Sequence, residues 1–212
     1  MESKRWDVVV FDYGRVLSEP PTLAERQEFA ALVGVTEPPF FQLYSDTRDE
    51  YDCGRHDCEQ HWRRFADAAG VSISPQQLTR IVELENRMWL RANLGALDLA
   101  REIKASGVRT AILSNMPPDL LCDMRKTFDW LDEFEVQIWS CEHGVIKPDP
   151  AIYRICLDAL GCQPQRALFF DDRPNNVEGA RKAGMEAHVF ESPEQARAIV
   201  RAGLNGVLQI AR

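Results

Sequence analysis

Short apolar runs that alternate with helix-like segments constrain the fold of this chain more than any other feature. The first run, residues 6–11, is rich in β-branched valine and lacks polar alternation, as expected of a strand buried in a parallel sheet. Comparable runs lie at residues 110–113, 136–139, 167–170 and 187–190. Helical spacing over residues 97–104, 151–160 and 176–183 is followed each time by a glycine that can end a helix. This order predicts an α/β fold with a parallel sheet and helices on both of its faces.

The segment from residue 18 to residue 95 interrupts this alternation. It has few β-branched runs, and helical spacing covers residues 22–32, 58–69 and 75–90, with turns marked by Pro38-Pro39 and by Gly70. We therefore predict a helical cap over residues 18–95, inserted after the first strand. Residues 1–17 and 96–212 would form the sheet-containing core.

Composition and charge narrow the possible functions. A formal net charge of -8 argues against general binding to nucleic acid or to an anionic membrane. No apolar run approaches the roughly 20 residues that a membrane-spanning helix needs, and the first residues do not resemble a secretory signal. The six cysteines form no CxxC pair, and in a chain with a sizeable core they are expected to be reduced. We expect a cytoplasmic protein.

Reactive side chains follow the predicted strands at the points where the strands end. Asp12 follows the first strand, Ser114 and Asn115 end the second, Lys147 follows the third, and the pair Asp171-Asp172 ends the fourth. Ligands of open α/β sheets bind beyond the carboxyl ends of the strands, so these side chains are expected to converge. Their convergence would join three carboxylates to one lysine.

Three neighbouring carboxylates repel one another and need cations close by. Mg²⁺ fits, because it prefers oxygen ligands and leaves positions for water and a substrate phosphate. Asp12 and Asp172, with the backbone carbonyl of Gly14, are the predicted magnesium ligands. Asp171 would pair with Lys147, and Asn176 would hold a metal-bound water.

The same residues suggest a phosphoryl-transfer mechanism. Asp12 is the candidate nucleophile and would form an aspartyl-phosphate that water then hydrolyses. Ser114 and nearby backbone amides would bind the phosphoryl oxygens, and Lys147 would neutralise developing charge. Asn115, Gly14 and Arg15 are placed at the substrate. Asn175 and Asn176 are both possible for the metal shell, and the spacing to Gly179 favours Asn176.

Four segments in this order resemble the motifs of the haloacid dehalogenase-like hydrolase superfamily. They are FDYGRVL (residues 11–17), ILSN (112–115), GVIKPDPAIY (144–153) and FFDDRPNNVEGARKAG (169–184). The inserted helices resemble the C1 cap of subfamily I, and the chain looks similar to glucose-1-phosphatase-like sugar phosphatases and to the phosphatase domain of epoxide hydrolases. The resemblance implies a Rossmann-like core, a magnesium cofactor and hydrolysis of a small phosphorylated metabolite, with a sugar phosphate favoured.

One position departs from the family pattern. Most phosphatases of this family carry a second aspartate two residues after the nucleophile, as general acid and base, whereas this chain has Gly14. General acid–base catalysis contributes about 10²–10⁴-fold in rate. Either the leaving group needs little protonation, as in an anomeric phosphate, or another group serves. The candidates are Arg15, Glu19, Asp52, His56 and Asp57.

Two other functions remain as alternatives. The first is 2-haloacid dehalogenation by the same aspartate, against which the Asp171-Asp172 pair argues, because the family's dehalogenases need no metal and typically have serines there. The second is a phosphate-binding protein that lost catalysis together with the second aspartate. A zinc site is disfavoured at Cys53, His56, Cys58 and His61, which crowd into nine residues. The aromatic residues Trp62 and Trp89 are expected in the cap core, although one of the large side chains there could face the cleft.

Overall fold

The computed structural model describes residues 5–37 and 39–204, and these contain a five-stranded parallel sheet. The strands are β1 (Val8–Phe11), β2 (Arg109–Ser114), β3 (Val136–Trp139), β4 (Ala167–Asp171) and β5 (Glu186–Val189). Their spatial order is β3-β2-β1-β4-β5, and every neighbouring pair is parallel. The predicted α/β fold is confirmed, and β1 lies at the centre of the sheet.

Helices cover both faces of the sheet and also fill the segment between β1 and β2. Helices α1 to α5 span Leu23–Leu32, Pro39–Asp46, Asp49–Asp52, Cys58–Ala69 and Pro75–Trp89. Helices α6 to α11 span Leu94–Ala105, Pro118–Thr127, Ser140–His143, Pro150–Leu160, Pro174–Lys182 and Pro193–Gly203. Shorter helical turns lie at Tyr13–Leu17, Asp129–Glu133 and Pro164–Arg166. Among the described helices, none combines the length and the hydrophobicity that crossing a bilayer requires.

The central strand explains why the first apolar run lacks polar alternation. Val9 and Phe11 of β1 pack with α6, α7 and α11 on one face of the sheet. Val8 and Val10 pack with α9 and α10 on the other face. All four side chains are fully buried, so each position of β1 must be apolar.

Helix bounds differ from the sequence predictions mainly at the first turn. Helix α6 begins three residues earlier than predicted, because Asn93 caps it by accepting a hydrogen bond from Ala96 N–H. Helix α10 begins at Pro174, two residues earlier than predicted, since proline is well tolerated in a first helical turn. Helix α11 was not predicted, although Ser192 and Pro193 provide a cap and a starting proline.

The segment with helices α1 to α5, which we call the helical insertion, encloses its own apolar cluster. Phe29, Phe40, Trp62 and Phe65 are buried in it, and Ile81 and Met88 of α5 complete it. The predicted turn at Gly70 is confirmed by a left-handed helix cap. Pro38 of the predicted Pro38-Pro39 turn lies outside the described residues.

A short two-stranded neck joins the insertion to the sheet. Ser18 and Ala92 form an antiparallel bridge. Glu19 N–H donates to Arg91 C=O at 2.8 Å, and Asn93 N–H donates to Leu17 C=O at 2.8 Å. Both chain connections between the insertion and the sheet therefore run side by side at this neck.

Candidate active site

A small cavity of about 90 Å³ lies beyond the carboxyl ends of the strands. The sheet side of the cavity includes Asp12, Lys147 and Asp172. The opposite side comes from the helical insertion and consists of Tyr44, Arg48, Asp52 and Trp89. We call these four residues the insertion wall. The cavity thus lies where an open α/β sheet is expected to bind a ligand.

Lys147 is the buried cation of the sheet side, and its side chain has no solvent exposure. Its Nζ lies 2.8 Å from Asp12 Oδ1 and 2.6 Å from Asp171 Oδ2, and it donates to Leu113 C=O at 2.9 Å. Burial opposes its charge, but Asp12 and Asp171 outweigh burial and raise the pKa of Lys147. The lysine is therefore held as an ammonium group with all three protons engaged.

Asp171 is fully buried, and its carboxylate is surrounded by donors. Besides Lys147, Arg173 N–H donates to Oδ1 at 2.8 Å. The side-chain amide of Asn176 donates to both oxygens at 3.0 Å. Asn176 is buried against Asp171, whereas Asn175 is exposed. Of the two asparagines, Asn176 is therefore the one at the carboxylate cluster, and its amide holds Asp171.

Three carboxylates meet at this point, as the strand ends predicted. One oxygen from each of Asp12, Asp171 and Asp172 lies within 4.8 Å of the others. Burial, followed by the charges of Asp12 and Asp171, raises the pKa of Asp172 to about 6. Burial is also the main cause that raises the pKa of Asp171. The cluster has more negative charge than Lys147 balances, and its hard oxygen donors suit a divalent cation such as Mg²⁺.

The turn after β1 brings Gly14 and Arg15 to the same cavity. Arg15 has a positive φ of 59°, and its Nη1 lies 3.2 Å from Asp172 Oδ2. A Cβ added to Gly14 would lie 3.9 Å from the Trp89 ring, which is an ordinary contact. Packing around its α-carbon therefore does not demand glycine at this position.

Ser114 and Asn115 lie at the end of β2, and of the two only Asn115 lines the cavity. Ser114 is buried, and its hydroxyl lies 3.4 Å from Asn115 C=O. The Asn115 side chain pairs with the backbone of Lys147, donating at 3.0 Å and accepting at 2.8 Å. Asn115 lines the cavity, and its amide group positions the loop that carries Lys147.

Sequence reasoning missed Tyr44 and Arg48 of the insertion wall. Arg48 Nη1 donates to Glu85 Oε1 at 2.6 Å and also contacts the Tyr44 hydroxyl, while its Nε donates to Asp52 Oδ1 at 3.0 Å. The i,i+4 spacing of Arg48 and Asp52 was a usable signal of a helical ion pair. Glu85 comes from a different helix, and no local pattern connects it to Arg48.

The five candidates for a replacement acid or base are widely separated. Arg15 and Asp52 line the cavity, and Glu19 lines an adjoining groove with Asp172. Asp57 caps α4 by accepting from Gln60 N–H, and neither it nor His56 lines the cavity. Of the five candidates, Arg15 and Asp52 are therefore the two that line the cavity itself.

Comparison with known proteins identifies the family. The parallel sheet with carboxylates at its strand ends defines an α/β protein with a polar site, and a model of the haloacid dehalogenase-like hydrolase family matches residues 10–184. The chain belongs to this family.

Individual relatives match different shares of the chain. Phosphorylated carbohydrates phosphatase of Thermotoga maritima is 25% identical over 186 residues, which cover 79% of this chain and 85% of that protein. Bifunctional epoxide hydrolase 2 of Rattus norvegicus is 30% identical over 138 residues, covering 60% of this chain and 24% of that protein. The chain spans only 9% to 24% of the length of the mammalian relatives that it matches.

A solved structure shares the fold. A haloacid dehalogenase family enzyme of Bacteroides thetaiotaomicron superposes with a TM-score of 0.74 at 20% identity. The match covers 93% of this chain and 100% of that protein. The same enzyme has been solved in complex with magnesium and inorganic phosphate.

Proposed function

We propose that this protein is a magnesium-dependent phosphatase that hydrolyses a small phosphorylated metabolite, with a sugar phosphate favoured. The observation that carries the proposal is the convergence of Asp12, Asp171 and Asp172 around Lys147 beside a cavity. The phosphatase named among the relatives and the magnesium and phosphate complex of the structural neighbour support it.

The donor set fits a magnesium ion. Asp12, Asp172 and the backbone carbonyl of Gly14 would hold it, and the ion would neutralise phosphate charge when bound. Asp171 would serve differently, because Lys147 and Asn176 already engage both of its oxygens. Its role is to hold Lys147 beside Asp12.

Asp12 is the proposed nucleophile. Tyr13 N–H and Lys147 Nζ both contact its Oδ1, at 2.7 Å and 2.8 Å, which fixes the orientation of the carboxylate. A carboxylate oxygen of Asp12 attacks phosphorus, and the bond to the leaving-group oxygen breaks. Water then attacks the aspartyl-phosphate, releasing phosphate and restoring the carboxylate. Ser114 and nearby backbone amides would bind the phosphoryl oxygens.

Because position 14 is a glycine, the rate should depend strongly on how well the leaving group departs without being protonated. With no carboxyl group at this position, an alkoxide leaving group lacks the usual proton donor. An anomeric phosphate or an acyl phosphate releases a more stable anion. We therefore expect such substrates to turn over faster than ordinary alkyl phosphates.

The helical insertion would act as the cap that selects the substrate. Its wall offers the rings of Tyr44 and Trp89 together with the charged pair Arg48 and Asp52. Aromatic faces beside hydrogen-bonding groups suit a sugar, which has both C–H faces and hydroxyls. Closing of such a cap would exclude water from the reaction.

A screen of phosphorylated metabolites with and without Mg²⁺ tests the proposal. Hydrolysis of sugar phosphates that stops with EDTA and returns with Mg²⁺ is the expected result. Asp172→Ala should weaken the response to Mg²⁺, whereas Asp158→Ala, at an exposed position of α9, should not. An unchanged metal titration in Asp172→Ala would contradict the ligand assignment. EDTA-resistant activity on 2-haloacids would favour the dehalogenase alternative instead.

A further inference from the structure

Ser140 connects two parts of the cavity wall. It is the first residue of α8, directly after β3, and it is fully buried. Its hydroxyl accepts a hydrogen bond from Met116 N–H at 2.9 Å. The same hydroxyl donates to the backbone carbonyl of Asp52. One side chain thus contacts both the loop after β2 and the helical insertion.

The orientation of this hydroxyl follows from its partners. A backbone N–H only donates and a carbonyl only accepts, while a serine hydroxyl has one proton and can also accept. The Ser140 oxygen must therefore accept from Met116, and its proton must go to Asp52. Alanine at this position would leave one buried donor and one acceptor without these partners, which is unfavourable.

The insertion tip, residues 51–54, is fitted closely to the core at this place. A Cβ added to Gly54 would lie 2.7 Å from Cys141 C=O, so only glycine allows the approach. Gly54 also has a φ of 77°, which disfavours other residues. On the other side of the tip, the Tyr51 hydroxyl donates to Asp119 Oδ2 at 3.1 Å.

Both ends of the Ser140 connection lead to the cavity. Asp52 belongs to the insertion wall, and its carboxylate pairs with Arg48 at 2.8 Å. Met116 lines the cavity and follows Asn115, whose side chain holds the backbone of Lys147. Ser140 therefore joins the wall that faces the substrate to the loop region that faces the phosphoryl group.

We propose that Ser140 is a positioning residue that sets the insertion wall relative to the phosphoryl-binding loop, so that leaving-group contacts and the attack by Asp12 are satisfied together. This inference rests on the proposed phosphatase function. A displacement of about 1 Å can cost roughly a hundredfold in rate, so one connecting hydrogen bond can matter. The proposal predicts an effect that depends on the size of the leaving group.

The first test compares two probes, α-glucose 1-phosphate and acetyl phosphate, in Ser140→Ala. We expect kcat/KM for the sugar phosphate to fall by about a hundredfold, with KM raised, and that for acetyl phosphate to fall by less than about tenfold. Acetyl phosphate is too small to depend on the insertion wall. The control is Ser106→Ala, which removes a hydroxyl that donates to Ile103 C=O at the end of α6. Equal losses for the two probes, or no loss, would overturn the proposal.

A second variant keeps the test valid if Ser140→Ala folds poorly. Gly54→Ala should displace the insertion tip and again raise KM selectively for the sugar phosphate. Its control is Gly70→Ala, which has a similar φ of 67° but has no atom within 4 Å of the added Cβ. In the double variant the two KM effects should be less than additive, because one connection has been broken twice. Fully additive effects, or a Gly54→Ala variant that matches Gly70→Ala, would contradict the coupling.

Hydrogen exchange separates this inference from the proposed function. If the wild-type protein hydrolyses no phosphorylated metabolite of the screen with Mg²⁺, the phosphatase proposal fails. Exchange at the Met116 amide should still be faster in Ser140→Ala than in Ser106→Ala, because its acceptor is lost. Unchanged exchange at Met116 would refute the connection itself.

Discussion

Two buried cations, one in the sheet core and one in the helical insertion, are each flanked by two carboxylates. Lys147 lies between Asp12 and Asp171 at the sheet edge. Arg48 contacts Asp52 and Glu85 inside the insertion. The two arrangements look alike, but their surroundings differ. A third carboxylate, Asp172, stands beside the lysine, whereas the Tyr44 hydroxyl donates to Glu85 at 2.5 Å beside the arginine.

This difference separates a reactive cluster from a structural one. Burial, followed by the charges of neighbouring carboxylates, raises the pKa of Asp171 and Asp172 at the sheet edge. Although Arg15 pairs with Asp172, this cluster can therefore gain a cation. In the insertion, both carboxylates have donors, and the guanidinium lies 4.8 Å from the Tyr44 ring centre. We infer that the lysine cluster serves chemistry, whereas the arginine cluster holds the insertion wall in place.

The largest expected effect is on activity at the sheet edge. Asp12→Asn keeps the shape of the side chain but removes the nucleophile, so we expect p-nitrophenyl phosphate hydrolysis to fall by about 10⁴-fold or more. The melting temperature should stay near that of the wild type. Asp7→Asn, at an exposed position before β1, is the control and should remain active. Substantial hydrolysis by pure Asp12→Asn would exclude the assigned role.

The next effect is on stability in the insertion. Arg48→Met leaves the buried Glu85 and the partly buried Asp52 without their cation, so unfolding in urea should show a loss of about 3–5 kcal/mol. The matched change Arg63→Met removes an exposed i,i+4 pair with Glu59 and should cost less than about 1 kcal/mol. Similar losses in both variants would show that the Arg48 cluster does not stabilise the insertion.

Gly14→Asp should raise the rate of hydrolysis of substrates that have a poor leaving group. A carboxyl group there can protonate a poor leaving group, so hydrolysis of an alkyl phosphate should rise by up to about a hundredfold. Anomeric phosphate hydrolysis should change less. Gly14→Asn is the control, since it has similar size but no acid. A rise of the same size in Gly14→Asn would mean that general acid catalysis is not the cause.

The smallest effect concerns the pH dependence of stability in the insertion. Burial, with the charge of Arg48, lowers the pKa of His61 to about 3, whereas a histidine in an unfolded chain titrates near 6.5. Between these values the unfolded chain binds a proton that the folded chain does not, so stability falls as pH falls through this window. Between pH 7 and pH 5, the free energy of unfolding in urea should therefore fall by about 2 kcal/mol less in His61→Leu than in the wild type. Parallel losses would show that His61 is not the group responsible.

The sheet edge was predictable from sequence, because the topology of a parallel sheet fixes where strand ends lie. Asp12 and Asp171 follow apolar runs that had to be buried strands, and both occupy the expected edge. The spacing to Gly179 favoured Asn176 over Asn175, and of these two residues only Asn176 is buried. The roles of these residues stay predictions until they are measured.

The insertion wall was less predictable, because it depends on how separate helices pack. Arg48 and Glu85 are 37 positions apart, and no periodicity connects them. The sequence indicated that Trp89 could face a cleft, but it gave no signal that the Trp89 ring lies next to Gly14. The bonds of Ser140 to Met116 and Asp52 likewise depend on tertiary contacts alone.

Chemical trapping tests the role of Asp12 most directly. The enzyme would be quenched in acid during turnover of α-glucose 1-phosphate with Mg²⁺, reduced with borohydride and mapped by mass spectrometry. An aspartyl-phosphate would be reduced to homoserine, and we predict that this change occurs at position 12. A reduced acyl phosphate at another residue, or none in a sample shown to be turning over when quenched, would contradict the mechanism.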